Sequence, residues 1–116
     1  MKFLMTYESS SKVPPTPAQL AAIGKFSQEM EATGNLLMTG GLQRPSKGTR
    51  VQLAGGKFTI TDGPYAETKE LIDGFALIEA KSREEALELA QRFMSIAGEG
   101  TGEVLAVFDS KDIPRA

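Results

Sequence analysis

The chain predicts an α+β fold of ferredoxin-like plan, βαββαβ with an inserted β-hairpin, and three observations carry that expectation. Short stretches of strand-like apolar sequence, at residues 2–7, 36–39, 74–80 and 104–108, mark four strands. Two segments of helical spacing, each opened by a capping signal, lie after the first strand and after the third. A pair of alternating arms around a two-glycine turn sits between the second and third strands. That order describes an antiparallel sheet whose two helices cover only one face.

The first strand starts almost at once, with Phe3, Met5 and Tyr7 alternating against Leu4 and Thr6. A proline-rich loop then ends in a helix start, with Thr16 as N-cap, Pro17 at the first helical position and Gln19 completing a capping box. Leu20, Ile23, Phe26 and Met30 recur at helical spacing, and Gly34-Asn35 stops the helix. Gly24 within it is expected to allow close packing on the sheet. The strand at residues 36–39 ends at Gly40-Gly41, and a loop from Leu42 to Gly48 leads to the hairpin. Val51 and Leu53 alternate on one arm, Phe58 and Ile60 on the other, and Ala54-Gly55-Gly56-Lys57 suits a primed turn. Gly74 to Ala80 reads as a strand that is apolar on both faces. Ser82-Arg83-Glu84-Glu85 is a second capping box, and Ala86, Leu89, Ala90, Phe93 and Ala97 form one helical stripe up to Gly98. A glycine-rich turn then precedes the last strand, Val104 to Phe108.

The strands place apolar groups on both sides: Phe3 and Met5 against Leu4, Phe75 and Leu77 against Ile78, Val104 and Ala106 against Leu105 and Val107. Two helices cover one face, so the other would expose more apolar surface than monomers usually carry, and a homodimer is the simplest cover. With 116 residues the expectation is one domain, residues 1–116. The net charge of -2 and the scattered basic residues argue against nucleic acid as a partner. No apolar run reaches membrane-spanning length and the N-terminal residues turn polar early, so no membrane association and a cytoplasmic location are expected. Without histidine or cysteine the usual transition-metal ligands are missing, and no cofactor is expected.

The richest chemistry lies in Thr61-Asp62-Gly63-Pro64-Tyr65-Ala66-Glu67-Thr68-Lys69-Glu70. An architectural reading explains much of it: Asp62 accepts amides in an Asx-turn, Pro64 starts a helical turn, and Glu67 complements its N-terminus. A functional reading makes Asp62 the candidate acid/base or ligand-orienting carboxylate, with Glu67 or Glu70 as the like charge that raises its pKa. Tyr65 then donates a phenolic hydrogen bond and Arg44 offers a bidentate fork to an anionic group. Tyr7, at the end of the first strand, is a further ligand-binding candidate whose alternative role is core packing. Ser9 and Lys12 have the spacing of an acyl-transfer motif but lack its companions, and the glycines after Gly98 lead from helix to strand, the reverse of a dinucleotide fingerprint.

That stretch, with Gly40-Gly41-Leu42 before it and Gly74-Phe75 after it, resembles the YCII-related family in its DGPF-motif branch. The resemblance runs from the first strand through the helix that follows Ser82. It implies a ferredoxin-like subunit in a dimeric α/β barrel, with a pocket near the motif aspartate, here Asp62. In some relatives a histidine–aspartate pair is suggested as acid/base machinery, while others are encoded beside alternative sigma factors and suspected of regulation. This chain departs from the pattern: it has no histidine, Tyr65 stands where phenylalanine is usual, Asp73 where a glycine is common, and Leu105 where an arginine often occurs. Two readings follow. One is a small homodimeric domain that binds or transforms a small polar molecule near the DGPY motif, and the other is a non-enzymatic regulatory or protein-interaction module.

Overall fold

Alternation along β1 (Lys2–Ser9) carries Phe3 and Met5 to one side of a sheet, where both are buried, and leaves Leu4 and Thr6 on the other. This computed structural model describes residues 1–10, 15–42, 48–62 and 73–108. The elements follow in the order β1, α1 (Pro17–Ala32), β2 (Leu36–Gly41), β3 (Thr49–Ala54), β4 (Lys57–Asp62), β5 (Gly74–Glu79), α2 (Arg83–Ala97) and β6 (Gly100–Val107). Four strands form an antiparallel sheet in the order β2-β5-β1-β6, and among the described residues β3 and β4 pair only with each other. With the hairpin set aside, this is the ferredoxin-like order expected from the sequence.

Both helices lie on the face that presents Phe3, Met5 and Ile78. Ile78 is fully buried, and Phe26 and Met30 of α1 meet Ala86 and Leu89 of α2 around it. The start of α1 has the full capping box: Thr16 Oγ1 accepts from Gln19 N at 3.1 Å and Gln19 Oε1 accepts from Thr16 N at 2.9 Å. At α2 only half of the expected box forms. Ser82 Oγ accepts from Glu85 N, but Glu85 Oε1 accepts instead from Lys81 N and from Asn35 Nδ2, which ties the start of α2 to the end of α1.

Three glycine readings need correction, and the reasons are tertiary. Gly24 faces open space and supports no close packing on the sheet. Gly40 and Gly41 belong to β2, where a Cβ on Gly40 would come within 3.0 Å of the Phe75 ring. The last strand begins at Gly100, four residues before the expected start. Gly100 pairs with Ser9, and a Cβ there would collide with the Glu8 carbonyl, so glycine allows the strand to continue by close approach where sequence alone reads a turn. The α1 stripe is also shorter than expected, since Leu20 is exposed.

The other face of the sheet bears Leu4, Phe75, Leu77, Leu105 and Val107, as the register requires: Leu4 lies opposite Leu77 on one side and Leu105 on the other. Among the described residues no helix covers this side, and Leu105 is 46% exposed. In the hairpin, Val51 pairs with Ile60 and Leu53 with Phe58, so all four share one face. They are 62% to 70% exposed. Gly55 and Gly56 both have positive φ, 57° and 76°, as a type I′ turn demands.

Candidate functional site

The strand ends nearest the motif converge on Asp73. Its N–H donates to the Tyr7 carbonyl at 2.7 Å, its own carbonyl accepts from Leu42 N at 2.8 Å, and its Oδ2 accepts from Ser9 N at 2.7 Å. One residue thus ties the ends of β1 and β2 to the start of β5. The sequence marks Asp73 only as an unusual neighbour of Gly74. Its role as a clasp depends on strands that are far apart in the chain.

Tyr7 is half-buried in β1, and its hydroxyl is directed at the turn between α2 and β6. The hydroxyl lies 2.8 Å from the Gly98 carbonyl and 3.2 Å from that of Glu99, and its ring meets Phe93 edge-on at 5.3 Å. Ser10 N and Ser10 Oγ also donate to the Glu99 carbonyl, each at 3.0 Å. The phenol is therefore engaged by the backbone of its own chain, which explains Tyr7 without a ligand.

Asp62 ends β4 at the foot of the hairpin, in an exposed position. Its Oδ1 accepts from Thr49 Oγ1 at 3.0 Å across the β3–β4 pair, which leaves Oδ2 for other partners. The turn amides that an Asx arrangement would use lie outside the described residues, as do Arg44, Tyr65 and Glu67. Of the five candidate site residues, only Asp62 and Tyr7 can be placed, and they share no hydrogen-bond partner.

Two concavities occur elsewhere. One of about 170 Å³ lies between α2 and the β1–β6 pair, lined by residues that include Met5, Gln91, Phe93, Met94 and Val104. The other, a groove of about 400 Å³ between the helices, is crossed by the Arg92–Glu29 ion pair at 2.9 Å, with the Arg92 guanidinium 4.9 Å above the Phe26 ring. Neither is lined by Asp62 or Tyr7. Among the described residues no cluster of three acidic side chains is placed to hold a metal ion, and no helix is long and apolar enough to cross a membrane.

Sheet order, helix placement and hairpin define a ferredoxin-like α+β protein, and likeness to a solved structure agrees. The chain matches 5-chloro-2-hydroxyhydroquinone dehydrochlorinase from Burkholderia phenoliruptrix, solved with 2,5-dihydroxybenzoquinone, at a TM-score of 0.52 and 18% identity, covering 96% of this chain and 97% of that one. At that identity the likeness is one of fold. The model of the YCII-related domain matches residues 1–111, and the chain belongs to that family. An uncharacterised protein of Rhizobium meliloti is 41% identical over 63 residues, and this match spans 51% of the chain and half the length of that relative.

Proposed function

We propose that this chain works as a homodimer that binds or transforms a small polar molecule, with Asp62 as the ligand-orienting or acid/base carboxylate. The observation that carries the reading is the uncovered sheet face. Leu4, Phe75, Leu77, Leu105 and Val107 form an apolar floor edged by Thr6 and Glu103, and a second subunit laid over it would enclose a largely dry space with a few polar groups. The dimeric α/β barrel implied by resemblance to the DGPF branch has such an arrangement. Among the described residues Thr49 engages one carboxylate oxygen of Asp62 and nothing engages the other, which suits a group that must hold an orientation. Tyr65, Glu67 and Arg44 are the remaining proposed ligand contacts, on the segments that flank the hairpin. The unit is residues 1–116 as one cytoplasmic domain.

The structural neighbour's substrate class makes small hydroxyquinones the first probes, with 2,5-dihydroxybenzoquinone at their head. Thermal-shift titration of the wild type and of Asp62→Asn separates site from turn. Asparagine still accepts the Thr49 hydroxyl, so the unliganded melting temperature should stay nearly constant. Binding should weaken about tenfold or more, a loss of roughly 1.4 kcal/mol. Equal affinity in the two proteins would return Asp62 to a purely architectural role.

The exposed apolar face of the hairpin favours a second reading, in which the chain is a regulatory module whose working part is a protein-binding surface. A wild type that binds no probe but forms a defined complex with another protein would select it.

A further inference from the structure

We infer that the β3–β4 hairpin is a clasp for a second copy of this chain, its apolar face of Val51, Leu53, Phe58 and Ile60 closing on the partner subunit. The inference rests on the homodimer reading and names an element that reading does not need. It starts from surface area. The side chains on the bare sheet face expose on the order of 400 Å² of apolar surface per chain, so two such faces bury about 800 Å² together, whereas stable specific interfaces bury about 1,200–2,000 Å². Homodimer interfaces are about 65% apolar, so that face corresponds to about 1,200 Å² of total surface and reaches only the lower edge of the range. The four hairpin side chains add roughly 500 Å² per chain, which brings the apolar area alone to about 1,800 Å² and the dimer well inside the stable range.

Placement agrees with that count. The substantial contacts of β3 and β4 are with each other, and no hairpin side chain belongs to the core around Ile78. The chain measures 46 × 44 × 19 Å, and its smallest dimension is that of one sheet with one helix layer, so the hairpin extends beside the body and is not folded beneath the sheet. Its radius of gyration of 16.5 Å exceeds the roughly 13 Å typical of a compact chain of this length, as a projecting arm requires. The opposite face of the hairpin carries Arg50, Gln52, Thr59 and Thr61, so only one side is built to be buried. An isolated two-stranded hairpin is marginal in water, and a partner surface supplies what the described residues of its own body do not.

The test is sedimentation equilibrium of the full chain over a dilution series, comparing wild type with Phe58→Ser/Ile60→Ser and with Leu105→Glu. Far-UV circular dichroism checks that each protein is folded. The expected result is a wild-type dimer, and a dimer dissociation constant raised at least 100-fold in the Phe58→Ser/Ile60→Ser protein while its fold persists. Because the chain has no cysteine, Phe58→Cys bearing an environment-sensitive fluorophore gives a second readout. Its emission should shift to shorter wavelength as the dimer forms, whereas the same label at Thr59→Cys should not respond. A Phe58→Ser/Ile60→Ser protein that dimerises as tightly as wild type, with a label at position 58 that stays solvated, overturns the clasp and leaves the sheet-face dimer standing. A wild type that remains monomeric at 100-fold dilutions upward from high micromolar concentration, with Leu105→Glu unchanged from it, overturns the homodimer reading and the clasp together.

Discussion

The sheet and the hairpin are built from the same alternation of apolar and polar residues, yet they end in opposite environments. On the helix side of the sheet, Phe3, Met5 and Ile78 are sealed by Phe26, Met30, Ala86 and Leu89, and Ile78 has no exposed surface. On the hairpin, Val51, Leu53, Phe58 and Ile60 have as regular a register and are all exposed. Alternation gives a strand one apolar face but does not say what will cover it. The sheet finds its cover in two helices that stand between its own strands in the chain. The hairpin finds none within the described residues of its own chain.

The largest effect that sharpens this contrast is expected at Ile78. Ile78→Glu would place a carboxylate where nothing can pair with it, and the protein should lose its cooperative thermal transition, as seen by calorimetry. A folded Ile78→Glu protein would mean that the core on the helix side is far looser than its burial suggests. On the uncovered side of the same sheet, Leu105→Glu should leave the monomer fold intact and remove the dimer, since Leu105 is partly solvated before association. Circular dichroism with light scattering reads both properties, and a Leu105→Glu protein that unfolds outright would contradict the separation of the two faces.

A smaller effect is expected at the sheet end. Tyr7→Phe keeps the edge contact with Phe93 but loses the hydroxyl's bonds to the α2–β6 turn, at a cost of about 1 kcal/mol in chemical denaturation. If the same variant also weakened ligand binding tenfold without that loss of stability, Tyr7 would belong to the site and not to the frame. The smallest effect should be on the polar side of the hairpin, where Gln52→Ser should change stability by no more than about 0.5 kcal/mol and leave association unaltered.

Much of the fold is legible because its signals are local. Thr16, Pro17 and Gln19 announce the start of α1 within four residues, and Gly55-Gly56 sets the hairpin turn through backbone conformation alone. What sequence misreads depends on distant neighbours. Gly40 and Gly100 look like punctuation, yet each lies within a strand because a ring or a carbonyl from another strand occupies the space a side chain would need. Asp73 carries no motif, and its function as a clasp appears only when β1, β2 and β5 are side by side. The candidate site is less legible than the fold for the same reason. Asp62 and Tyr7 look alike as polar residues at strand ends, but among the described residues one is held only by Thr49 across its own hairpin while the other is taken up by carbonyls contributed from more than ninety residues away.

The outer strands of the sheet have a consequence for how the protein behaves in a tube or a cell. β6 runs for eight residues along one margin, pairs among the described residues only with β1, and has Glu103 as its single charge. A long, weakly charged margin of unpaired amides and carbonyls is a template for adding further chains. Mutations that loosen association would leave this margin less protected, so the failure mode of a weakened protein is turbidity as much as dissociation, and a lysine at an outward position of β6 is the natural way to keep such variants in solution.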